Sequence, residues 1–262
     1  MPGPRRAGGS RDVKSATRVL RIFEIFAATR RPMRISELAS ELDMPQSSAS
    51  MLVQTLVQRG YMEQAGRGRA VQPTLNLALL GRWLDEQFSR AGGLHEMLQE
   101  IASFCQDTVI LGAEAGIEVH YVHVVQGSHP LRYDIKRGSR RFLVDANAGR
   151  VLLALKPDEE LDRIITRTLA ERPSVPLDRR RLRQEIETIR RQGYSYRENM
   201  VVPGASVIAA AVRAGALQRP LAVGIAGPTE RLRANLEPNV RCMQHTLFPY
   251  TTLFRSDRKS VV

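Results

Sequence analysis

The sequence contains only two cysteines, Cys105 and Cys242, and 5% of its 262 residues are aromatic. Two distant cysteines cannot form a disulfide framework, so we expect reduced thiols in a cytoplasmic protein. Apolar runs are also short, such as residues 151–155 and 207–212, and they fall well below the roughly 20 residues that span a bilayer. The basic N-terminus leads into no apolar segment, so we expect neither a signal peptide nor a membrane partner.

Signatures of catalysis are equally scarce. The sequence has no Gly-x-Ser-x-Gly nucleophile elbow, and Gly66–Gly68 makes a poor phosphate loop because no βαβ pattern surrounds it. His120 and His123 lie three residues apart on an expected strand, so without a bulge they point to opposite faces and cannot share a metal ion. We therefore expect no enzyme activity, no metal and no cofactor.

Basic residues, in contrast, are abundant. The chain has 39 Lys and Arg residues against 27 Asp and Glu residues, which gives a formal net charge of +12. Such an excess favours a polyanionic partner, and nucleic acid is more common than membrane. One basic run, Arg179–Arg183, lies on an expected amphipathic helix, and we interpret it as a solvated face, with an oligomer contact as the alternative.

Residues 13–74 carry the pattern of three short helices followed by a hairpin. Apolar residues recur at helical spacing over 15–28, after Ser36, and from Pro45 to Arg59, and a Gly-rich tip at 65–68 closes the hairpin. A three-residue break at Asp43–Pro45 and the small Ala39 before it suit two closely crossing helices. This order predicts a winged helix-turn-helix that binds double-stranded DNA.

The polar side of the third helix is the predicted DNA-reading surface. It contains no Lys or Arg, but Gln pairs with adenine and Ser with either base of a pair, so neutral side chains can read an operator. The DNA-contacting residues predicted on this helix are Gln46, Ser47, Ser48, Ser50, Met51 and Gln54. Phosphate contacts are assigned to Lys14, Arg18, Arg67 and Arg69. The alternative is a plain three-helix scaffold whose polar face is only solvated.

The remaining chain predicts a linker helix at 75–90 and a mixed α/β domain at 91–245, between a flexible basic arm (1–12) and an atypical tail (246–262). Strands are expected at 108–113, 118–126, 131–136, 194–196, 206–213 and 221–226, and helices at 94–104, 148–155, 158–169 and 178–192. Because Pro249 interrupts the tail and no helical stripe runs through it, we hypothesise that the residues after about His245 are non-native.

Several ordered motifs resemble the IclR-type bacterial transcriptional regulators over about Val13–Leu236. In the first half they are Val13–Leu20, Ile35–Ala39, Met44–Ser48 and Arg59–Tyr61. In the second half they are Ala148–Ala154, Arg191–Tyr194, Val202–Ser206 and Gly227–Pro228. The resemblance implies a GAF-like effector-binding domain, a homo-dimer or tetramer held partly through the N-terminal domain, and a small organic or aromatic acid as effector.

Matched by position to this family, the candidate effector-binding residues are Asn147, Ala148, Glu198 and Ser206. Two departures stand out. The recognition helix has Gln46 and Met51 where the family often has basic residues, so the operator is expected to differ. The family's Ser-x-Ser, which can hold a carboxylate, is Gly224 and Ala226 here, which argues against a simple small-acid ligand.

The sequence therefore predicts a ligand-responsive transcriptional regulator, with repression favoured over activation, that binds a palindromic operator. Two alternatives stay open. One is a metabolic enzyme with an accessory helical domain, which would need a cluster of catalytic groups in the second half. The other is a non-specific nucleic-acid-binding protein, which would show steep salt dependence without sequence preference.

Overall fold

The computed structural model describes residues 13–66, 69–90, 93–174, 176–199, 201–213 and 219–247, apart from the side chains of 84–90 and 213. The expected N-terminal arm, Arg67 at the hairpin tip and the tail from residue 248 lie outside the described residues. Contacts divide the chain into two units, with the division between Glu86 and Gln87. None of the helices in the described ranges combines the length and apolar character that a membrane crossing requires.

The N-terminal unit begins with the three expected helices. Their bounds are Lys14–Thr29 for α1, Ile35–Glu41 for α2 and Gln46–Gln58 for α3. The turn between α2 and α3 is tight, because Asp43 adopts a φ of 49° and the Met44 amide donates to the Ala39 carbonyl at 3.0 Å. Ala39 is buried, so its small side chain lets the two helices approach closely and form the helix-turn-helix.

A three-stranded sheet follows these helices and completes the winged fold. Its strands are β1 (Met33–Arg34), β2 (Met62–Gln64) and β3 (Ala70–Pro73), paired antiparallel in the order β1-β3-β2. The chain leaves α3 through Gly60, whose φ of 77° suits a residue without a side chain. The sequence predicted the β2–β3 hairpin but not β1, since two residues are too few to show a period.

Next come α4 (Asn76–Arg90) and a C-terminal unit built on one antiparallel sheet. The sheet order is β6-β5-β4-β9-β8-β7. Its strands are β4 (Thr108–Ala115), β5 (Glu118–Val125), β6 (Arg140–Phe142), β7 (Tyr194–Glu198), β8 (Ala205–Arg213) and β9 (Pro220–Pro228). The helices are α5 (Leu94–Cys105), α6 (Asn147–Ala154), α7 (Asp158–Glu171), α8 (Arg179–Gln192), α9 (Thr229–Ala234) and α10 (Leu236–Leu247).

Successive side chains on these strands point to opposite faces of the sheet and pack into two separate hydrophobic cores. Along β8, Ala209 and Ala211 pack into the core shared with α6, α7 and α8. Ile208 and Ala210 face the opposite core, which contains α5 and α10. Both faces of the sheet are thus covered by helices, and polar groups near its centre have little access to water.

Two expectations about this unit are wrong. Residues 131–136 form no strand, although their apolar residues alternate, because side chains bind their carbonyl groups: Gln126 donates to Ile135 at 3.0 Å and Arg231 to Leu131 at 2.8 Å. The terminal helix also extends past the boundary expected at residue 245, since Thr246 and Leu247 are buried in its last turn.

Candidate DNA interface and ligand cavity

The outer face of α3 is polar, uncharged and exposed. Ala49, Val53 and Leu56 are buried, so the opposite side of the helix faces away from the core. The predicted readers on that side are exposed at Gln46, Ser47, Met51 and Gln54 and half-buried at Ser48 and Ser50. Met51 has 67% of its surface exposed. No side chain caps the first turn of α3, so its amides are free to meet an anion such as phosphate.

Of the predicted phosphate-contacting residues, three lie within the described part of the chain. Lys14 is exposed and Arg18 half-buried in the first turns of α1, and Arg69 is exposed beside the wing tip. Arg67 lies outside the described residues. The wing is held by pairing of Gln64 with Val71 and by a hydrogen bond from the Gln72 side chain to Glu63 at 2.9 Å.

In the C-terminal unit, a cavity of about 230 Å³ opens among β5, β6, the start of α6 and the loop before β8. Two tyrosines, Tyr121 and Tyr133, contribute aromatic surface to its wall. Three cationic side chains border it, namely those of Lys136, Arg141 and Arg197, against the single carboxylate of Asp134. The chemistry of the wall therefore suits a compact, partly aromatic anion.

The start of α6 reaches this cavity because Gly149 lets the helix lie directly on the preceding chain. A Cβ at Gly149 would lie 2.5 Å from the Cα of Leu143, closer than real contacts allow. Asn147 then lines the cavity, but its side chain is fully engaged: it donates to the carbonyls of Arg197 and Val207 and accepts from Ser195 at 2.8 Å. Asn147 thereby ties α6 to two strands.

The other predicted effector residues have different positions. Ser206 lines the cavity, and its hydroxyl is hydrogen-bonded to that of Thr229 at 2.8 Å. Ala148 is buried and is not among the lining residues. Glu198 is also absent from the lining, because its carboxylate pairs with Arg233; hydrogen bonds from Arg233 and then Tyr196 lower the pKa of Glu198 to about 2.

One cavity residue, Arg197, belongs to an ion-pair network centred on Glu185. The Glu185 carboxylate accepts from Arg197 at 3.0 Å, from Arg181 at 3.1 Å and from the buried Arg150. Burial lowers the pKa of Arg150 even though Glu185 opposes the shift. Because three guanidinium groups share one carboxylate, Glu185 compensates their charge only in part, but its hydrogen bond holds the Arg197 guanidinium and leaves it less available to a ligand.

The histidines do not assemble a metal centre. The register of β4 and β5 shifts opposite Tyr121 and His123, but His123 then faces His95, with 3.2 Å between their ring nitrogens. His120 contacts Glu118 instead. Within the described ranges, no group of three or more His, Cys, Asp or Glu side chains is placed to hold a metal ion.

Sequence reasoning missed Tyr121, Arg141 and Arg197 as cavity residues. Tyr121 and Arg197 lie on expected strands, where nothing in the local pattern distinguishes them from other strand residues, and Arg141 lies on the three-residue strand β6, which is too short to be predicted. The only available signal was that Tyr121 is a large aromatic residue at an inward position of β5.

The two units together match a known class of protein. Residues 15–66 match the IclR helix-turn-helix domain, and residues 92–245 match the C-terminal domain of bacterial IclR transcriptional regulators. The protein is therefore a DNA-binding transcriptional regulator with an effector-binding C-terminal domain. It belongs to the IclR family. Both matches describe regulators rather than enzymes, in agreement with the expectation from the sequence.

Individual relatives agree with this assignment. The chain is 26% identical over 238 residues to the HTH-type transcriptional regulator KdgR of Dickeya chrysanthemi, covering 88% of this chain and 77% of that protein. It is 22% identical over 235 residues to the transcriptional repressor IclR of Escherichia coli K12, covering 88% and 86%.

Solved structures confirm the predicted fold class. The crystal structure of an IclR homolog complexed with 4-hydroxybenzoate, from Microbacterium hydrocarbonoxydans, covers 93% of this chain and 100% of its own, with a TM-score of 0.73 and 18% identity. An IclR regulator from Alicyclobacillus acidocaldarius gives a TM-score of 0.72 at 18% identity, covering 93% and 99%. At such identities the likeness concerns the fold.

Proposed function

We propose that this regulator represses transcription from a palindromic operator as a homo-dimer or tetramer and responds to a small aromatic or other organic acid. The observation that carries the proposal is the ligand cavity, whose wall combines two tyrosines with three cationic side chains and one carboxylate. A positively charged and partly aromatic wall favours an aromatic anion over a neutral or cationic ligand.

Operator recognition is assigned to α3. Gln46, Ser47, Ser48, Ser50, Met51 and Gln54 form its reading surface, where amide and hydroxyl groups bond base edges and Met51 packs against thymine methyl groups. Lys14, Arg18, Arg67 and Arg69 contact phosphates, which orient the helix without reading sequence. This division of labour gives specificity to an uncharged helix and affinity to the basic residues around it.

Self-association is supported by apolar side chains exposed along α4. Leu79, Leu80 and Trp83 share one face of that helix, and Trp83 has 57% of its surface exposed. Soluble monomers seldom expose such a stripe, so a second copy of the chain is the proposed cover. A two-fold dimer would present two copies of α3 to the two half-sites of a palindrome.

The proposed effector is small because the cavity volume lies below the roughly 300–1,000 Å³ of most ligand pockets. Two relatives are consistent with the proposal: a structural neighbour is complexed with 4-hydroxybenzoate, and a sequence relative is a repressor. Asn147 and Ser206 stay in the proposal as wall residues, whereas Ala148 and Glu198 would act only indirectly. An effector changes operator affinity by the ratio of its affinities for the two states of the protein.

Fluorescence anisotropy with the purified full chain and the DNA upstream of its gene tests the proposal. We expect specific binding that survives at 200 mM salt, and a change in operator affinity of about fivefold or more in the presence of 4-hydroxybenzoate or benzoate. Equal binding to scrambled DNA would instead favour a non-specific binder. An operator affinity unchanged by a broad panel of aromatic and aliphatic acids would refute acid sensing.

A further inference from the structure

Most polar groups of the cavity wall already have protein partners. The Asn147 amide makes three internal hydrogen bonds, and the Ser206 hydroxyl is paired with Thr229. Gly224 and Ala226 have no side-chain donor, and neither is among the lining residues. The acid group of an effector therefore needs other hydrogen-bond donors, and the candidates are wall residues whose donors are not used within the protein.

Arg141 is one such donor. The two half-buried guanidinium groups of the cavity differ, because Arg197 is ion-paired with Glu185 at 3.0 Å. Arg141 donates only to the carbonyl of its neighbour Arg140, at 2.7 Å, and pairs with no carboxylate in the described part of the chain. Its remaining N–H groups can bind a ligand carboxylate through two parallel hydrogen bonds.

Tyr121 supplies a second donor. The residue is only 5% exposed, and its hydroxyl makes no hydrogen bond within the described ranges. In the same ranges, every fully buried side-chain oxygen or nitrogen has a partner, so this hydroxyl opens into the cavity that Tyr121 lines. Burial raises the pKa of Tyr121 to about 12, although Arg141 opposes the shift. The phenol therefore keeps its proton and can donate it to an anion.

The pairing of β5 with β6 brings the two donors together. Val119 pairs with Arg141, and the Tyr121 amide donates to the carbonyl of Ser139 at 2.9 Å. Residues two apart on a strand share a face, so Tyr121 and Arg141 are diagonal neighbours on the same side of the sheet. Diagonal neighbours lie close enough for long side chains to meet at one ligand group.

We propose that Tyr121 and Arg141 together hold the carboxylate of a compact aromatic effector and determine its preference for acids. The phenol donates one hydrogen bond and the guanidinium two, and the ring of Tyr133 contacts the aromatic part of the ligand. This inference rests on the proposed acid-sensing function. The competing anchors are the first-turn amides of α6 and the ammonium of Lys136. A helix N-terminus carries only about half a charge, and Lys136 is exposed, so water already solvates its ammonium.

Calorimetric titration of the full chain tests the assignment, with 4-hydroxybenzoate and its uncharged amide, 4-hydroxybenzamide, as probes. The wild type is expected to prefer the acid. Tyr121→Phe and Arg141→Gln should each weaken acid binding by about 10- to 100-fold, because each removes a hydrogen bond to a charged group. Amide binding should change by less than about threefold, since no charged hydrogen bond is lost. Arg141→Lys should lose less than Arg141→Gln, because it keeps the charge but not the planar fork.

Two matched variants control for charge and shape. Arg140→Gln removes the same charge from the alternate face of β6, and Tyr194→Phe removes a hydroxyl outside the cavity lining. Both should bind the acid as the wild type does. Melting temperatures without ligand should agree across the set, which identifies any variant that fails to fold.

The possible outcomes distinguish a failure of the Tyr121 and Arg141 assignment from a failure of the proposed acid sensing. If the wild type binds the acid and both cavity variants bind it equally well, Tyr121 and Arg141 are not the anchor, the α6 amides or Lys136 become the better assignment, and acid sensing stands. If the acid and amide affinities fall in parallel, the residues shape the cavity rather than recognise charge, which also overturns the inference. If the wild type binds neither these probes nor the wider acid panel, the proposed function fails as well.

Discussion

The two units of this regulator differ in the exposure and the hydrogen bonding of the polar side chains at their candidate sites. On α3, Gln46, Ser47 and Gln54 are exposed, so water can satisfy their polar groups. In the cavity wall, Asn147 and Ser206 are buried, and other groups of the protein satisfy their hydrogen bonds. An unengaged polar group is therefore ordinary on the exposed face of α3 and informative at a buried position of the cavity.

This contrast decides how each site can be identified. An exposed polar face follows from helical periodicity, because the buried stripe of α3 defines its opposite side. A buried site is identified by what the fold leaves unsatisfied, since an unpaired buried donor costs stability unless a ligand or water completes it. Substitutions of buried and of exposed polar groups should therefore differ in their effects on stability and on DNA binding.

The largest effect is expected for Glu185→Gln. Glu185 compensates the buried Arg150 as well as Arg197, and loss of its charge leaves a buried cation without a counter-ion. The free energy of unfolding of the C-terminal unit should fall by about 3 kcal/mol, measured by urea denaturation and circular dichroism. Glu187→Gln, in an exposed pair with Arg190 on the same helix, should cost less than about 1 kcal/mol. Equal losses would show that burial does not distinguish the two pairs.

A smaller effect, confined to DNA, is expected for Gln54→Ala. Loss of a base-reading amide should weaken operator binding by about 1–3 kcal/mol while leaving binding to random DNA unchanged. Competition gel shifts measure both affinities. Gln184→Ala makes the same change at an exposed position of α8 and should leave both unchanged. If Gln54→Ala weakens both DNAs alike, α3 does not read bases through this residue.

Arg69→Ala should lower the affinity for DNA regardless of the DNA sequence. Removing a phosphate contact is expected to weaken operator and random DNA by similar factors and to lower the slope of log K against log salt by about one. Titrations at several salt concentrations give that slope, with Arg179→Ala on α8 as the charge-matched control. A change in base preference would place Arg69 among the readers instead.

The smallest effect concerns pH. Burial and the nearby His95 lower the pKa of His123, so the folded chain binds a proton there less readily than the unfolded chain. Its contribution to stability is complete above the ordinary histidine pKa of about 6.5 and is lost as the pH falls through the lowered value. His123→Gln should reduce the change in melting temperature between pH 7 and pH 5. The substitution His245→Gln, at an exposed position, should leave that change as it is in the wild type. Identical pH profiles would exclude this contribution.

The helices and hairpin of the N-terminal unit were predicted from the sequence better than the lining of the cavity was. The three N-terminal helices and the β2–β3 hairpin follow from local periods and turn residues, and the structure has them where they were expected. The segment 131–136 shows where such reasoning fails, because its alternation is real but Gln126 and Arg231 bind its carbonyl groups in place of a neighbouring strand.

The predicted effector residues show the same limit. Resemblance by position located Asn147 and Ser206 on the cavity wall, but it could not reveal that both side chains are internally engaged. Glu198 also looked available in the sequence, and it is Arg233, 35 residues away, that occupies its carboxylate. Tyr121 and Arg141 went unnoticed because their proximity depends on the register of β5 with β6, which no local pattern encodes.

The amino-acid sequence alone determined the helix-turn-helix, its uncharged outer face and the basic residues around it, because a helix of 3.6 residues per turn sorts neighbouring side chains into faces. Only the tertiary structure decided which groups border the cavity and which of them remain free. Residues from 121 to 207 along the chain meet there, and strand register and helix packing, not sequence proximity, set which hydrogen bonds are already made.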